Sequence, residues 1–175
     1  KDTLTAEEYL ELAKAQKVLE KNDSAIGSYE KARQKDSTLT GIYYDLGSLY
    51  MGKKMYKEAA LSFERKIATD TTAGYQFASH LNAGLCLMQV KEYNASLVHI
   101  KASLVLRPDY LTGWSALASC YAQMDDSTAQ QRIANQKVIE LILQGGEESL
   151  EKNKGKLEEA YRVEGIISFQ EKKYD

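Results

Sequence analysis

Cys86, Cys120, His80 and His99 are the residues whose types could carry nucleophilic or metal chemistry in this chain of 175 residues. A nucleophilic thiol needs a base beside it, and a structural or catalytic zinc needs three or four Cys, His or carboxylate ligands. No HExxH, CxxC or Cys–His spacing surrounds any of the four. Gly145-Gly146 lacks the following Lys-Ser/Thr and the preceding strand of a phosphate loop. The sequence therefore predicts no catalytic residues, no metal and no cofactor. Asn22-Asp23-Ser24 and Asn94-Ala95-Ser96 match the glycosylation acceptor pattern, which is short enough to arise by chance.

Binding is the better prospect, and composition narrows the partner. The chain carries 23 Lys and Arg against 25 Asp and Glu, without the basic excess of a nucleic-acid binder. It is 43% apolar and 27% charged, as an ordered domain is. No apolar run approaches the roughly 18 residues of a membrane span, so membrane insertion is not expected. One proline in the whole chain points to helix nearly throughout. The chain starts at Lys1 without a methionine or an apolar signal core, so the expectation is an excised fragment or a processed chain, soluble, either cytoplasmic or exported after loss of a signal peptide.

The elements that would position a binding face repeat. In the stretch 40–73, Tyr43, Leu46, Gly47 and Tyr50 share one helical face. After a break at Met51-Gly52-Lys53-Lys54, Tyr56, Ala59, Ala60 and Phe63 share another. A shift of 34 residues carries Tyr9 to Tyr43, Leu12 to Leu46, Ala13 to Gly47, Ala25 to Ala59 and Tyr29 to Phe63. A shift of 37 carries Leu46 to Ala83, Gly47 to Gly84, Tyr50 to Leu87, Tyr56 to Tyr93 and Phe63 to Ile100. A further 34 carries Ala83 to Leu117, Gly84 to Ala118 and Leu87 to Tyr121, with Trp114 in the place of Tyr43. A last, longer step of 47 takes Ala118 to Gly165, with Tyr161 and Tyr174 at the Tyr43 and Tyr56 positions. Helices this short do not stand alone in water; each pair needs neighbours like itself.

This pattern resembles the tetratricopeptide repeat, an aromatic-x-x-Leu-Gly-x-x-Tyr helix followed by an Ala-x-x-x-Phe helix and a closing Pro, here Pro108. The resemblance implies an all-α fold, a right-handed α-solenoid of antiparallel helix hairpins. Four repeats would occupy about 6–39, 40–73, 77–110 and 111–146 of a domain over 1–146. A long charged helix over 147–175 would open a fifth. Gly47, Gly84, Ala13, Ala25 and Ala59 then lie where the helices of a hairpin press closest, and Tyr, Phe and Trp fill the gaps between hairpins. Cys86 and Cys120 fall at equivalent positions of consecutive repeats and read as small packing residues, too far apart for a disulfide if their helices are about 8–10 Å apart. Asp36-Ser37 and Asp70-Thr71 take the turn role of Pro108.

Two departures stand out. Lys66 occupies the place of the small Ala32, and three extra residues, Gly74-Tyr75-Gln76, follow it; the second and third repeats should meet less regularly, the helix after Thr72 starting about a turn early. Thirteen extra residues precede Gly165: a helix over 128–143 should end at Gln144-Gly145-Gly146, with a sub-domain boundary near Gly145.

The resemblance also implies a concave groove lined by the first helix of each repeat. Its face reads Leu10, Lys14 and Lys17; Tyr44, Ser48 and Met51; Leu81, Leu85 and Met88; then Ser115, Ser119 and Ala122. The middle is apolar and adaptable at its methionines, the lysines favour an acidic partner end, and Leu81 and Leu85 could equally be packing. Only Lys14 matches the basic clamp with which relatives hold acidic chaperone tails, so that ligand is not expected. The function implied is a non-catalytic protein–protein interaction scaffold, part of a longer repeat protein, holding a peptide or partner protein. A regulatory or targeting module of a larger catalytic chain is the alternative. A sugar or small molecule stacking on Tyr44, Tyr75 and Trp114 ranks lower. Val163, Ile166, Ile167 and Phe169 spread round the last helix, an apolar end that needs cover from further residues or from self-association with a second copy.

Overall fold

A computed structural model describes residues 4–124 and 127–174, with side chains through 169; the Tyr174 side chain, the expected counterpart of Tyr56, lies outside them. Nine α-helices occur among the described residues, with no strand: α1 Ala6–Val18, α2 Asn22–Lys35, α3 Tyr43–Gly52, α4 Tyr56–Thr69, α5 Ala73–Gln89, α6 Tyr93–Leu106, α7 Leu111–Tyr121, α8 Thr128–Gln144 and α9 Gly146–Tyr174. A 3-10 turn, Thr40–Ile42, leads into α3. Two compact units divide between Val90 and Lys91, in the turn from α5 to α6 rather than near Gly145.

The repeat period is visible in the turns. Glu20, Lys54 and Lys91 take left-handed backbone conformations at φ 57°, 61° and 64°, at the same 34- and 37-residue steps as the side-chain pattern. The N–H of Lys21 donates to the carbonyl of Gln16, and that of Met55 to Tyr50, each at 2.9 Å. Each is a Schellman closure, in which the left-handed residue is usually glycine. Here Gly52 precedes that position and Lys54 occupies it. The opposite turns also match: the carboxylate of Asp36 accepts from the Thr38 N–H and that of Asp70 from the Thr72 N–H, both at 2.8 Å. A capping box between Thr5 and Glu8 starts α1.

In the first unit, Ala13, Ala25, Tyr29, Ile42, Leu46 and Leu49 form a continuous buried cluster. A methyl on Gly47 would sit 2.8 Å from the Phe63 ring, so the small residue there is a packing requirement between α3 and α4. Buried Tyr29 of α2 donates to Asp45 of α3 at 2.9 Å, and burial, together with that carboxylate, pushes its hydroxyl well above the usual tyrosine range. Tyr50 of α3 donates to Glu30 of α2 at 3.1 Å and is pushed up to about 12 by burial and that carboxylate.

Lys66 is buried, and its surroundings supply what a buried ammonium needs. Nζ lies 2.7 Å from Asp70 and 4.1 Å from the centre of the Tyr75 ring. Gln76 donates to the carbonyl of Ile67 at 2.8 Å and also to that of Asp70. The extra residues thus bring Tyr75 and Gln76 back onto the end of α4, and α5 starts at Ala73 with Thr72 as its N-cap. The expected irregularity is a compensated one.

In the second unit, α6 and α7 approach closely enough that a methyl on Gly113 would lie 2.7 Å from Leu104; Ser96 and Cys120 meet there at 3.2 Å. Val138, Ile142 and Ala160 form the core between α8 and α9, with Leu111, Trp114, Leu150 and Leu157 around it. Arg132 of α8 binds Glu164 and Ser168 of α9 at 3.2 and 2.9 Å. α9 runs 29 residues and kinks at Asn153, φ −115°. The Asn153 amide donates to the Ser149 carbonyl at 3.0 Å, a side-chain bond of the kind that bends helices.

Candidate functional site

In the first unit the helices expected to line a groove are joined along one side. Lys17 of α1 pairs with Asp45 of α3 at 2.5 Å, and Asn82 of α5 donates to the Tyr44 hydroxyl of α3 at 3.4 Å. α1, α3 and α5 therefore present side chains in sequence. Not every candidate is on the open face. Leu81 is buried at 6% exposure and belongs to the packing of α5. Leu10 packs against the first core cluster. Tyr44 is half-buried, edge-on to Phe63 at 5.6 Å and to Tyr75 at 5.4 Å. Ser48 donates back to the Tyr44 carbonyl at 2.9 Å. Met51, Leu85 and Met88 remain half-exposed, while Leu46, Gly47, Ala83 and Leu87 on other faces of the same helices are buried.

The lysines are less available than their exposure suggests. Lys14 pairs with Glu11 at 2.7 Å and Lys17 with Asp45, so each meets an acidic partner already half neutralised. Tyr75 is held against Lys66, and the Trp114 indole donates to the Pro108 carbonyl at 2.6 Å, so both aromatic residues have structural contacts.

Ser115 and Ser119 lie in the second unit and line a cleft of 280 Å³ between α7, α8 and α9. Ala118, Val138, Ala160 and Val163 give it apolar walls, and Gln131, Asn135, Lys156 and Glu159 bring polar groups to it. Ser115 donates to the Leu111 carbonyl at 3.0 Å and Ser119 to the Ser115 carbonyl at 2.9 Å, leaving oxygen lone pairs for an incoming donor. Asn135 is 6% exposed and its Nδ2 has no hydrogen-bond partner among the described residues. Glu159 is held by Arg162 at 2.5 and 2.8 Å, which lowers its carboxyl below the usual range.

Asn135 is not among the residues that the repeat pattern singles out, which are small or aromatic. The signal was present: Gln131, Asn135, Val138 and Ile142 follow helical spacing, so two amides extend an apolar stripe.

Both cysteines are buried and free, and burial pushes the Cys86 thiol up to about 11. Among the described residues no group of three or more His, Cys, Asp and Glu is placed to hold a metal, and no helix is long and apolar enough to cross a membrane.

Neither a family model nor a curated protein sequence matches the chain. Solved structures do. The C-terminal part of a TPR repeat-containing protein from Cytophaga hutchinsonii superposes with a TM-score of 0.69 at 24% identity, over 90% of this chain and 59% of that one. The chain thus spans less than two thirds of that structure's length. A MamA crystal structure gives a TM-score of 0.70 at 20% identity, covering 96% and 92%, and MamA from Desulfovibrio magneticus RS-1 gives 0.67 at 16%, covering 97% of both. At these identities the likeness establishes the fold: all-α, of the tetratricopeptide-repeat type.

Proposed function

From a fold of the tetratricopeptide-repeat type, we propose that this chain is a non-catalytic protein-interaction scaffold, and that the α1–α3–α5 side of its first unit holds an extended or helical peptide. The observation that supports the reading is the pair of side-chain contacts, Lys17 to Asp45 and Asn82 to Tyr44, which link three successive first helices. Half-exposed Met51, Leu85 and Met88 then supply adaptable apolar contact. Ser48 and the exposed Lys14 border it. An acidic partner is favoured only weakly, because both lysines are already paired. Four repeats and the opening helix of a fifth, over 6–146 and 147–175, remain the organisation proposed for the chain.

Selection of a peptide library against the chain tests this. Peptides enriched by the wild type should be lost by a Met51→Asp/Met88→Asp variant whose helical circular dichroism is unchanged. Buried Leu81 is unsuitable for such a test, since a charge there would unfold α5. A folded double variant that keeps the same peptides refutes the assignment of the face.

A further inference from the structure

The cleft between α7, α8 and α9 has features that packing alone does not account for. An amide buried with an unpaired N–H is unfavourable unless something completes it. Asn135 is in that state, and it lines an open cleft rather than a sealed core. An aliphatic residue on the Val138–Ile142 stripe would close the same wall without an orphaned donor.

We propose that this cleft binds a primary carboxamide on a short aliphatic stem, the group carried by glutamine and asparagine. The carboxamide oxygen accepts from Asn135 Nδ2. Its NH₂ donates to the serine oxygens of Ser115 and Ser119, whose own protons are committed to α7 carbonyls. The stem lies against Ala118, Val138 and Ala160. The volume of 280 Å³ falls just below the range of about 300–1,000 Å³ usual for small-molecule pockets, which suits a residue-sized group. A carboxylate is disfavoured, because the serine lone pairs would face an anion without protons to offer. Both charged side chains at the cleft already have partners: Glu159 is paired with Arg162, and Lys156 donates to the Asn153 side-chain oxygen at 3.5 Å. None of these residues belongs to the α1–α3–α5 side, so this inference and the proposed peptide face stand or fall separately.

The test is a nuclear magnetic resonance titration of the whole ¹⁵N-labelled chain with N-acetyl-glutamine N-methylamide, its glutamate counterpart and free glutamine. The side-chain NH₂ of Asn135 and the backbone N–H of Ser119 and Ala160 report. The glutamine probe should give saturable shifts at these sites with a dissociation constant of roughly 1 mM, ordinary for a ligand of that size. The glutamate probe should bind at least about fivefold more weakly at pH 7, the margin of one lost hydrogen bond. Asn135→Leu should abolish the shifts while the rest of the spectrum stays folded, and Ser119→Val, at an exposed position, should weaken them. Saturation by free glutamine as well would identify a free amino acid as the source; saturation by the blocked form alone would identify a peptide residue, and either supports the site. Equal binding of glutamate, unchanged binding by Asn135→Leu, or no saturable shift up to about 20 mM, some twentyfold above that constant, overturns it.

Discussion

Lys66 and Asn135 pose the same problem in two regions of the molecule: each is a polar residue at a helix position that is buried. Lys66 is answered locally. Asp70 follows one turn later on the same helix, Tyr75 covers the ammonium, and Gln76 closes the carbonyls at the end of α4. Asn135 lines an open cleft, and its buried amide N–H has no partner among the described residues. Lys66 is structural because its neighbours complete its bonds; Asn135 differs in having an unpaired N–H beside a cleft.

The comparison can be broken first at the packing around Lys66. Tyr44, which contacts Tyr75, also leans on Phe63, and Phe63 is what a side chain on Gly47 would strike. Gly47→Val should lower the unfolding free energy by about 3 kcal/mol, measured by urea denaturation; a neutral result would mean the first unit has slack that Lys66 does not require. Lys66→Ala, which restores the small residue of the first repeat, should nevertheless destabilise by about 2 kcal/mol through the cavity and the stranded Asp70. Lys66→Met, of similar volume, should stay within about 1 kcal/mol of wild type. If alanine proves stabilising, Lys66 is not a completed site. A double-mutant cycle of Lys66→Met with Tyr75→Leu should return a coupling of about 0.5–1 kcal/mol.

The smallest effect is electrostatic. Lys66 and Thr72 hold the Asp70 carboxyl down to about 2, against 3.8 for the ordinary group. A carboxyl whose folded value is depressed stabilises the fold above its unfolded value, and that contribution is lost as pH falls through the folded one. Urea midpoints of wild type should therefore fall between about pH 4 and pH 2 more steeply than those of Asp70→Asn; parallel curves would remove Asp70 from the account.

Much of the fold was legible because its rules are local. The shift of 34 residues located Gly47 and Phe63 from residue size alone, and Asp36 and Asp70 announced their turns. Lys66 and Tyr75 were each visible as departures, but their contact depends on how α5 returns across the end of α4, which spacing along one helix does not reveal. Leu81 was placed on the groove face by helical period; the close packing of α5 buries it. The Asn153 kink was hidden because asparagine has no fixed role in a helix until its side chain finds a carbonyl. Asn135 was overlooked for a related reason: a polar residue on a stripe becomes informative only once its missing partner is known.

The central claim is that Asn135 is held at the expense of stability, and chemical denaturation of Asn135→Leu tests it most directly. The buried, unpaired amide makes the wild type less stable than its aliphatic variant, so Asn135→Leu should raise the unfolding free energy by about 1 kcal/mol. A loss of similar size would show that the amide is part of the packing, and the cleft would lose its claim to a ligand.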